Sequence, residues 1–343
     1  MRQWFVALMG VLAIPAQAVP SDGEPDWPSA SIVGGSSVGV CGWPTTVYTG
    51  GCTGTLIHER AISTAQHCGA PRRIEFGEQA GELSHAVNVL GCVGRGSDDA
   101  MICELAEPVT SLPVTPVLFG CEAERYLVKD QPVVMVGFGQ TAFGVGGGRK
   151  LWADQTIAAV ESGRVIIGEP GDGVSPCPGD SGGPAFVQLD DGSWRVIGTV
   201  LGGTTGTPCN SAANFQRIDT VVANFEAERG LDITPCFDAA TGAWEPTEAC
   251  GGFFAGNDEG EGTWNDWCEG TDVSGYSESC GAPFESNDPG GTDDTDDPDQ
   301  TDGTDDTDGV QAGCGCSHSA PAGGYLAFAL VSVLIGGTRL RRR

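Results

Sequence analysis

Basic residues are scarce in this chain of 343 residues, which has 17 Lys and Arg against 46 Asp and Glu and a formal net charge of −29. Residues 230–338 contain 22 Asp and Glu and no Lys or Arg, whereas residues 32–229 contain 21 acidic and 12 basic residues. The acidity therefore belongs to the C-terminal part. Because no segment forms a basic stripe, we predict that nucleic acid is not a partner.

Long apolar runs are equally scarce, and both lie at an end of the chain. At the start, Arg2 precedes an apolar stretch over residues 4–14, and the sequence AQA follows at residues 16–18. This arrangement predicts a secretory signal peptide over residues 1–18. The polar, Pro-containing residues 19–31 are then interpreted as a pro-segment.

Helical periodicity is also rare. Ile218, Val221, Val222 and Phe225 have the spacing of one helix face, and Gly230 can end that helix. Elsewhere, short β-branched segments alternate with clusters of Gly, Pro, Asn and Asp, which predicts an all-β sandwich or barrel. The predicted strands lie in residues 51–57, 61–68, 73–76, 86–90, 101–105, 132–137, 165–168, 184–189 and 194–201.

Cysteine, by contrast, is abundant, with 14 residues in the chain. In a secreted protein these are disulfide candidates rather than metal ligands or redox thiols. Eight lie in residues 32–229, four in residues 236–280, and the last two are Cys314 and Cys316. The even numbers predict that pairing is closed within each segment.

The segment with four cysteines, residues 236–284, is too small for a hydrophobic core without disulfides. It is either a stapled mini-module or an extension packed on the preceding domain. Residues 285–312 are mostly Asp, Thr, Gly and Pro, and we interpret them as a disordered, self-repelling spacer. Asp clusters also suit hard cations, so calcium binding is the alternative for this segment.

The final segment, residues 313–343, has three parts: Cys314 and Cys316, an apolar stretch over residues 323–338, and a terminal cluster of arginines. It resembles the C-terminal sorting tails of myxobacterial-type surface proteins. The resemblance implies display at the cell surface or outer membrane, with a sorting protease that acts near Cys314 and Cys316. A plain membrane anchor is the alternative.

The most distinctive sequence is CPGDSGGP at residues 177–184. Gly and Pro on both sides of an Asp-Ser pair suit neither a helix nor a strand, but they suit a tight turn that another backbone can approach. A serine hydroxyl becomes a nucleophile only with a base and an anion-stabilising pocket. We therefore expect the rest of the chain to supply a His, an Asp and a pocket for Ser181.

Two further sequences precede this motif: IVGG at residues 32–35 and TAQHC at residues 64–68. In this order, the three sequences resemble the chymotrypsin/trypsin family of serine endopeptidases, over residues 32–230. The resemblance implies a protease domain, which we place at residues 32–235, made of two six-stranded antiparallel β-barrels and a C-terminal helix. It also implies protein or peptide substrates and no required cofactor or metal.

The same resemblance assigns catalytic roles residue by residue. Ser181 is the nucleophile, and His67 is the general base that later protonates the leaving amine. The N–H groups of Gly179 and Ser181 form the oxyanion hole. The other three histidines lie in no such motif and are interpreted as structural or surface residues; they are His58, His85 and His318.

The aspartate that orients His67 has two candidates. Alignment from the sequence AEPV at residues 106–109 selects Asp99, whereas alignment on Ala100 selects Asp98. A slip of one residue turns a strand side chain to the opposite face, so only one of them can serve, and we favour Asp99. Gln66 replaces the Ala that is common beside the family's histidine.

Asp180 has a different role in this resemblance. In the family, cleavage frees the amine of the residue that matches Ile32, and the resulting ammonium pairs with the aspartate that matches Asp180. We therefore predict a zymogen that is cut between Ser31 and Ile32. Ser31 is not basic, so a trypsin-like activator is not the obvious one.

Two disulfides follow from the resemblance, Cys52–Cys68 beside the histidine and Cys177–Cys209 beside the specificity pocket. Three pairings are open to the remaining four cysteines of this domain. Among them we favour Cys41–Cys121 together with Cys92–Cys103.

By alignment, Ser175 lies at the floor of the primary pocket, where trypsin-like enzymes carry an aspartate, and Gly203 and Ala213 line the walls. Leu201 and Gly202 stand where the family usually has Ser and Trp. Without a floor carboxylate, an Arg or Lys of the substrate would be poorly paired. We expect an uncharged, medium-sized or apolar residue before the scissile bond.

The sequence thus predicts a secreted, surface-anchored serine endopeptidase. The alternative is a non-catalytic binding or adhesion protein at the cell surface that has the fold of a protease.

Overall fold

The β-branched segments form strands, and these build two closed barrels in the computed structural model, which describes residues 32–82, 84–205 and 209–285. Strands within each barrel pair antiparallel. The predicted all-β fold with two six-stranded barrels is confirmed. The predicted signal peptide, pro-segment, spacer and sorting tail, with Cys314 and Cys316, lie outside the described residues.

The first barrel has the strand order β2-β3-β4-β7-β6-β5 and is closed where Tyr48 lies opposite Glu75. Its interior is a buried apolar cluster that includes Leu56 and Ile62. The strands are β2 (Thr46–Tyr48), β3 (Thr53–His58), β4 (Ala61–Ala65), β5 (Arg73–Phe76), β6 (His85–Gly94) and β7 (Ala100–Leu105).

The second barrel has the order β8-β9-β10-β13-β12-β11, and β8 pairs again with β9 to close it. A short strand β1 (Ser36–Ser37) adds to β9 from outside. The buried interior includes Ile157, Val165 and Phe215. The strands are β8 (Pro132–Gly137), β9 (Leu151–Glu161), β10 (Arg164–Ile167), β11 (Pro184–Gln188), β12 (Trp194–Gly203) and β13 (Ala213–Arg217).

The predicted C-terminal helix is present as α2 (Asp219–Arg229), and its apolar face is fully buried. Gly230 ends it with a left-handed φ of 64°, a conformation that glycine adopts without strain. A second helix, α1 (Gly120–Tyr126), was not predicted. No helix in the described part of the chain is long and apolar enough to cross a membrane, and the apolar stretch 323–338 lies outside that part.

Residues 236–285, called here the extension, pack on the barrels with little regular structure beyond a 3₁₀ turn at Trp264–Asp266. The backbone of Trp194 in β12 donates to the Phe254 carbonyl at 2.9 Å, and the Trp43 and Phe254 rings meet edge-on at 5.6 Å. The extension is therefore packed on the preceding domain and is not a separate mini-module.

Disulfides join the extension to the loop before β2 and to α1. Cys41 pairs with Cys268 and Cys121 pairs with Cys280, while a third bond closes inside the extension between residues 236 and 250. The favoured Cys41–Cys121 pair and the expectation of closed pairing within each segment are therefore wrong. Each segment would contain an even number of cysteines whether they pair within the segment or with two cysteines of the other segment. The cysteine counts therefore could not predict that Cys41 and Cys121 pair with the extension.

Candidate active site

The motif at residues 177–184 forms the tight turn that its glycines predict. Gly179 has a φ of 102°, and a Cβ there would lie 2.8 Å from Gly139 Cα. Gly182 has a φ of 79°, and a Cβ there would lie 2.3 Å from Thr64 Oγ1. Both positions need glycine for conformation and for space. The disulfide between residues 177 and 209 lies at the start of this turn.

His67 lies in a 3₁₀ turn, Gln66–Cys68, directly after β4, and Asp99 directly precedes β7. Because Ala65 and Ala100 are paired across these neighbouring strands, both side chains emerge at the same end of the first barrel. His67 Nδ1 lies 2.6 Å from Asp99 Oδ2, and the His67 backbone N–H donates to Asp99 Oδ1 at 2.9 Å. A carboxylate accepts only, so the Nδ1 proton is donated to it and Nε2 is left for a substrate or nucleophile.

Of the two aspartates considered, the structure brings Asp99 to His67, while Asp98 contacts the neighbouring Gln66. The Gln66 side-chain amide donates to the Asp98 carbonyl, and the Gln66 backbone N–H donates to the Asp99 carbonyl at 2.5 Å. The Gln66 amide packs against Gly94, where a Cβ would lie 2.6 Å from it. The Gln that replaces the usual Ala thus holds the backbone next to Asp99.

The turn formed by residues 177–184, called here the serine turn, packs against the end of β4, just before His67. Gly182 lies against Ala65, and Cys68 Sγ lies 3.7 Å from the Ser181 carbonyl oxygen. The disulfide between Cys52 and Cys68 joins the His67 turn to the residue directly before β3. Asp99 therefore contacts His67 directly, and the backbone of Ser181 lies beside the turn that carries His67.

Asp180 is buried, with 1% of its surface exposed. Its two carboxyl oxygens accept the backbone N–H groups of Gly139 at 2.7 Å and Cys177 at 2.8 Å. Burial raises the pKa of this carboxyl to about 8, although the two N–H groups oppose that rise. Ile32 is also buried, and its neighbour Val33 pairs with Ser175.

The predicted pocket residues lie on adjoining segments. Gly203 and Ala213 are directly opposite each other in β12 and β13. The buried Ser175 hydroxyl donates to the Ser211 carbonyl at 2.9 Å. Leu201 and Gly202 precede Gly203 in β12, where Gly202 has a φ of 150°. The residue at the predicted floor position is therefore a serine whose hydroxyl is engaged with Ser211.

Sequence reasoning missed two residues of this region. Ser211 lies against the pocket wall, since a Cβ at Gly203 would be 2.4 Å from Ser211 Oγ. Thr53, at the start of β3, touches the serine turn through its backbone and its side chain. Neither residue belongs to a motif, and only the spatial arrangement identifies them.

Two other histidines make structural contacts. His58 Nδ1 accepts the Arg60 N–H at 3.1 Å, and burial lowers the pKa of His58. The His85 ring stacks on Trp267 of the extension at 3.8 Å. Among the residues that the structure describes, no three His, Cys, Asp or Glu side chains converge as metal ligands would.

Comparison with known proteins finds similarity over the part of the chain that forms the two barrels. The family model described as Trypsin matches residues 32–225, more than half of the chain. The chain is 27% identical to chymotrypsin-C of Mus musculus over 251 residues, which cover 59% of this chain and 90% of that protein. It is 27% identical to chymotrypsin-C of Rattus norvegicus over 250 residues (58% and 89%) and 26% identical to that of Bos taurus over 230 residues (53% and 82%).

Proposed function

Because the chain belongs to the trypsin family of serine endopeptidases, we propose that it hydrolyses peptide bonds with Ser181, His67 and Asp99 as its catalytic triad. The observation that carries this proposal is the 2.6 Å contact between His67 Nδ1 and Asp99 Oδ2, beside the serine turn. Asp99 holds the imidazole in the tautomer with a free Nε2 and stabilises the imidazolium.

In the first half of the reaction, Ser181 Oγ attacks the carbonyl carbon of the scissile bond and His67 Nε2 takes the hydroxyl proton. The tetrahedral oxyanion accepts the N–H groups of Gly179 and Ser181. The same proton then passes to the leaving amine, which gives an acyl-enzyme that water hydrolyses by the reverse transfers. Loss of one oxyanion donor typically raises such a barrier by about 2.7–4 kcal/mol.

Activation is proposed to follow cleavage between Ser31 and Ile32. The new ammonium of Ile32 would pair with the Asp180 carboxylate. The support for this step is that burial raises the pKa of Asp180 to about 8. An arriving cation lowers that pKa and favours the charged form.

The pocket floor favours an uncharged, medium-sized or apolar side chain before the scissile bond. A buried Lys or Arg side chain would find a hydroxyl at Ser175 in place of a carboxylate, and an unpaired buried charge is strongly unfavourable. Profiling the cleavage of a peptide library tests this preference, and cleavage after Arg or Lys would contradict it.

We further propose that the protein is secreted and held at the cell surface by its C-terminal segment, with proteolytic sorting near Cys314 and Cys316. The six disulfides support an oxidising compartment. Fractionation of cells that express the full chain, compared with a chain that ends at Glu285, tests the anchoring. Equal release of both chains into the medium would contradict it.

The decisive test of the catalytic proposal is labelling by a fluorophosphonate. The residues before Ile32 are replaced by the recognition sequence of a site-specific protease that cuts directly before Ile32. The cut chain should be labelled at Ser181, and Ser181→Ala should abolish labelling and cleavage. Ser162→Ala, at an exposed turn away from the site, should behave as wild type. A folded, correctly cut chain without labelling would favour the non-catalytic binding protein.

A further inference from the structure

We propose that Thr53 is a positioning residue that fixes the Gly179–Asp180 peptide and so limits the backbone rotation of Gly179, whose N–H is one donor of the oxyanion hole; this inference rests on the proposed function and deepens it. Thr53 is the first residue of β3 in the first barrel and is completely buried. The serine turn leads into the second barrel at β11. The contacts of Thr53 therefore join the first barrel to the turn that leads into the second barrel.

Thr53 contacts alternate residues of the serine turn. Its backbone N–H donates to the Ser181 carbonyl at 2.9 Å, and its hydroxyl donates to the Gly179 carbonyl at 2.9 Å. Its methyl carbon Cγ2 lies 3.1 Å from the place where a Cβ of Gly183 would be. One side chain and its own amide thus hold the turn on both sides of the nucleophile.

The direction of the hydroxyl bond is determined by its second partner. The Phe138 backbone N–H donates to Thr53 Oγ1 at 3.1 Å. Since an N–H group can only donate, the hydroxyl accepts there, and its single proton is directed to the Gly179 carbonyl. Both hydrogen-bonding functions of this buried hydroxyl are satisfied.

Gly179 is held at the peptide groups on either side of it. On the N-terminal side, the Pro178 carbonyl accepts the Gln140 N–H at 2.9 Å. Because a trans peptide is planar, the Gly179 N–H points to the opposite side, away from Gln140. On the C-terminal side, Thr53 holds the Gly179 carbonyl. Without that bond, a glycine with a φ of 102° is free to turn between several backbone conformations.

Preorganisation explains why this bond matters for the reaction. An oxyanion donor lowers the barrier only if it already points to the place where the charge develops. The Thr53 hydroxyl bonds to Gly179 and Phe138 and not to the predicted pocket residues, so we expect it to affect kcat rather than substrate binding. Thr53 also joins the serine turn to β4, the strand before His67, because the Thr64 hydroxyl donates to the Thr53 carbonyl at 2.8 Å.

The test compares Thr53→Val with Thr53→Ser in the chain that begins at Ile32. Valine keeps the shape and the methyl groups but has no hydroxyl, so we expect kcat to fall by about tenfold or more, below the roughly 10²–10³-fold effect of losing a donor outright. KM should change by no more than about twofold. Serine keeps the hydroxyl and should recover most of kcat.

Thr55→Val is the matched control. Thr55 lies on the same strand and is equally buried, but its hydroxyl has no hydrogen-bond partner among the described residues. It should retain the wild-type kcat. If Thr53→Val does not fold, Thr53→Ala compared with Thr53→Ser again differs by the hydroxyl alone, and the same difference in kcat is expected.

A second readout does not depend on catalysis. Hydrogen exchange at the Phe138 amide should be faster in Thr53→Val than in wild type, and unchanged in Thr53→Ser and Thr55→Val. An active wild type with equal kcat in Thr53→Val overturns this inference and leaves the proposed function intact. Equal loss of kcat in the Ser and Val variants also overturns it. A folded wild type that neither cleaves nor reacts with the fluorophosphonate overturns the proposed function first.

Discussion

Among the residues that the structure describes, two carboxylates are deeply buried, and they are neutralised in different ways. Glu122 in α1 forms a two-pronged ion pair with Arg195 of β12, with both N–O distances at 3.1 Å, and accepts the Ser279 hydroxyl at 2.6 Å. Asp180 accepts two backbone N–H groups, and no cationic side chain of the described residues pairs with it.

Glu122 is paired with a cation inside the fold, and its surroundings are called here the structural site. Asp180 can change its charge, and its surroundings are called here the responsive site. The Glu122 site is complete: the extension closes over it, with Ser277 at 3.4 Å from the Arg195 guanidinium and the Phe253 ring 4.6 Å from that group. The Asp180 site lacks a cation, which is consistent with a charge that arrives after cleavage before Ile32. Under the proposed activation, Glu122 stabilises a single state, whereas Asp180 would distinguish the uncut chain from the cut chain.

The largest loss of stability is expected from removing the extension, which covers the Glu122–Arg195 pair. A chain that ends at Pro235 loses the partners of Cys41 and Cys121 and uncovers Trp43, which packs on Phe254. It also leaves the Glu122 pair without Ser279. We expect no folded, soluble protein, measured by circular dichroism and by recovery after oxidative refolding.

A chain that ends at Glu285 is the control, since it keeps every described residue of the extension. It should refold as well as the full chain. A well-folded protein that ends at Pro235 would show that the extension is an accessory module and that the buried pair does not depend on it.

A smaller but still large effect is expected from breaking the pair itself. Glu122→Gln leaves the Arg195 charge buried without a counter-ion, which typically costs about 3–5 kcal/mol of unfolding free energy. The double variant Glu122→Leu with Arg195→Met removes both charges and should lose much less. Urea unfolding with intact disulfides measures both, and equal losses in the two proteins would contradict an ion-pair origin.

The sequence predicted Asp180 and the candidate catalytic residues around it, but it did not predict the buried pair of Glu122 and Arg195. The order of IVGG, TAQHC and CPGDSGGP predicted the roles of His67 and Ser181, and alignment from AEPV at residues 106–109 favoured Asp99. These residues lie in local motifs whose spacing is fixed by turns. Glu122 and Arg195 are 73 residues apart and belong to no motif. Only the packed fold brings them together.

The fold shows the same limit. Segments rich in β-branched residues, such as β4 and β8, were predicted, but β9 was not, because the consecutive polar residues Asp154, Gln155 and Thr156 resemble an exposed loop. The partners of Cys41 and Cys121 were also missed. A disulfide between distant segments depends on how the extension packs, and residue counts carry no information about that packing.

The smallest effect expected here concerns pH and the responsive site. In the uncut chain, Asp180 has a pKa of about 8 against an ordinary value of 3.8, so between these values the folded protein holds a proton that the unfolded chain has released. The free energy of unfolding therefore falls as pH rises through this window. From about pH 5 to about pH 7.5 the loss is about 3 kcal/mol, at roughly 1.36 kcal/mol per pH unit.

Asp180→Asn isolates this contribution. The amide does not titrate, so the variant should lack this fall, although it starts from a lower stability because one of the two N–H groups at Gly139 and Cys177 loses its acceptor. Cleavage before Ile32 should reduce the fall in the wild type, since the new ammonium stabilises the charged carboxylate. Guanidinium unfolding of the uncut and cut chains at both pH values measures each slope, with the other ionisable groups common to all of them. If the free energy of unfolding depends on pH equally in the wild type and in Asp180→Asn, Asp180 is already charged in the uncut chain. Glu122 and Asp180 would then differ in their neighbouring groups and not in their charge.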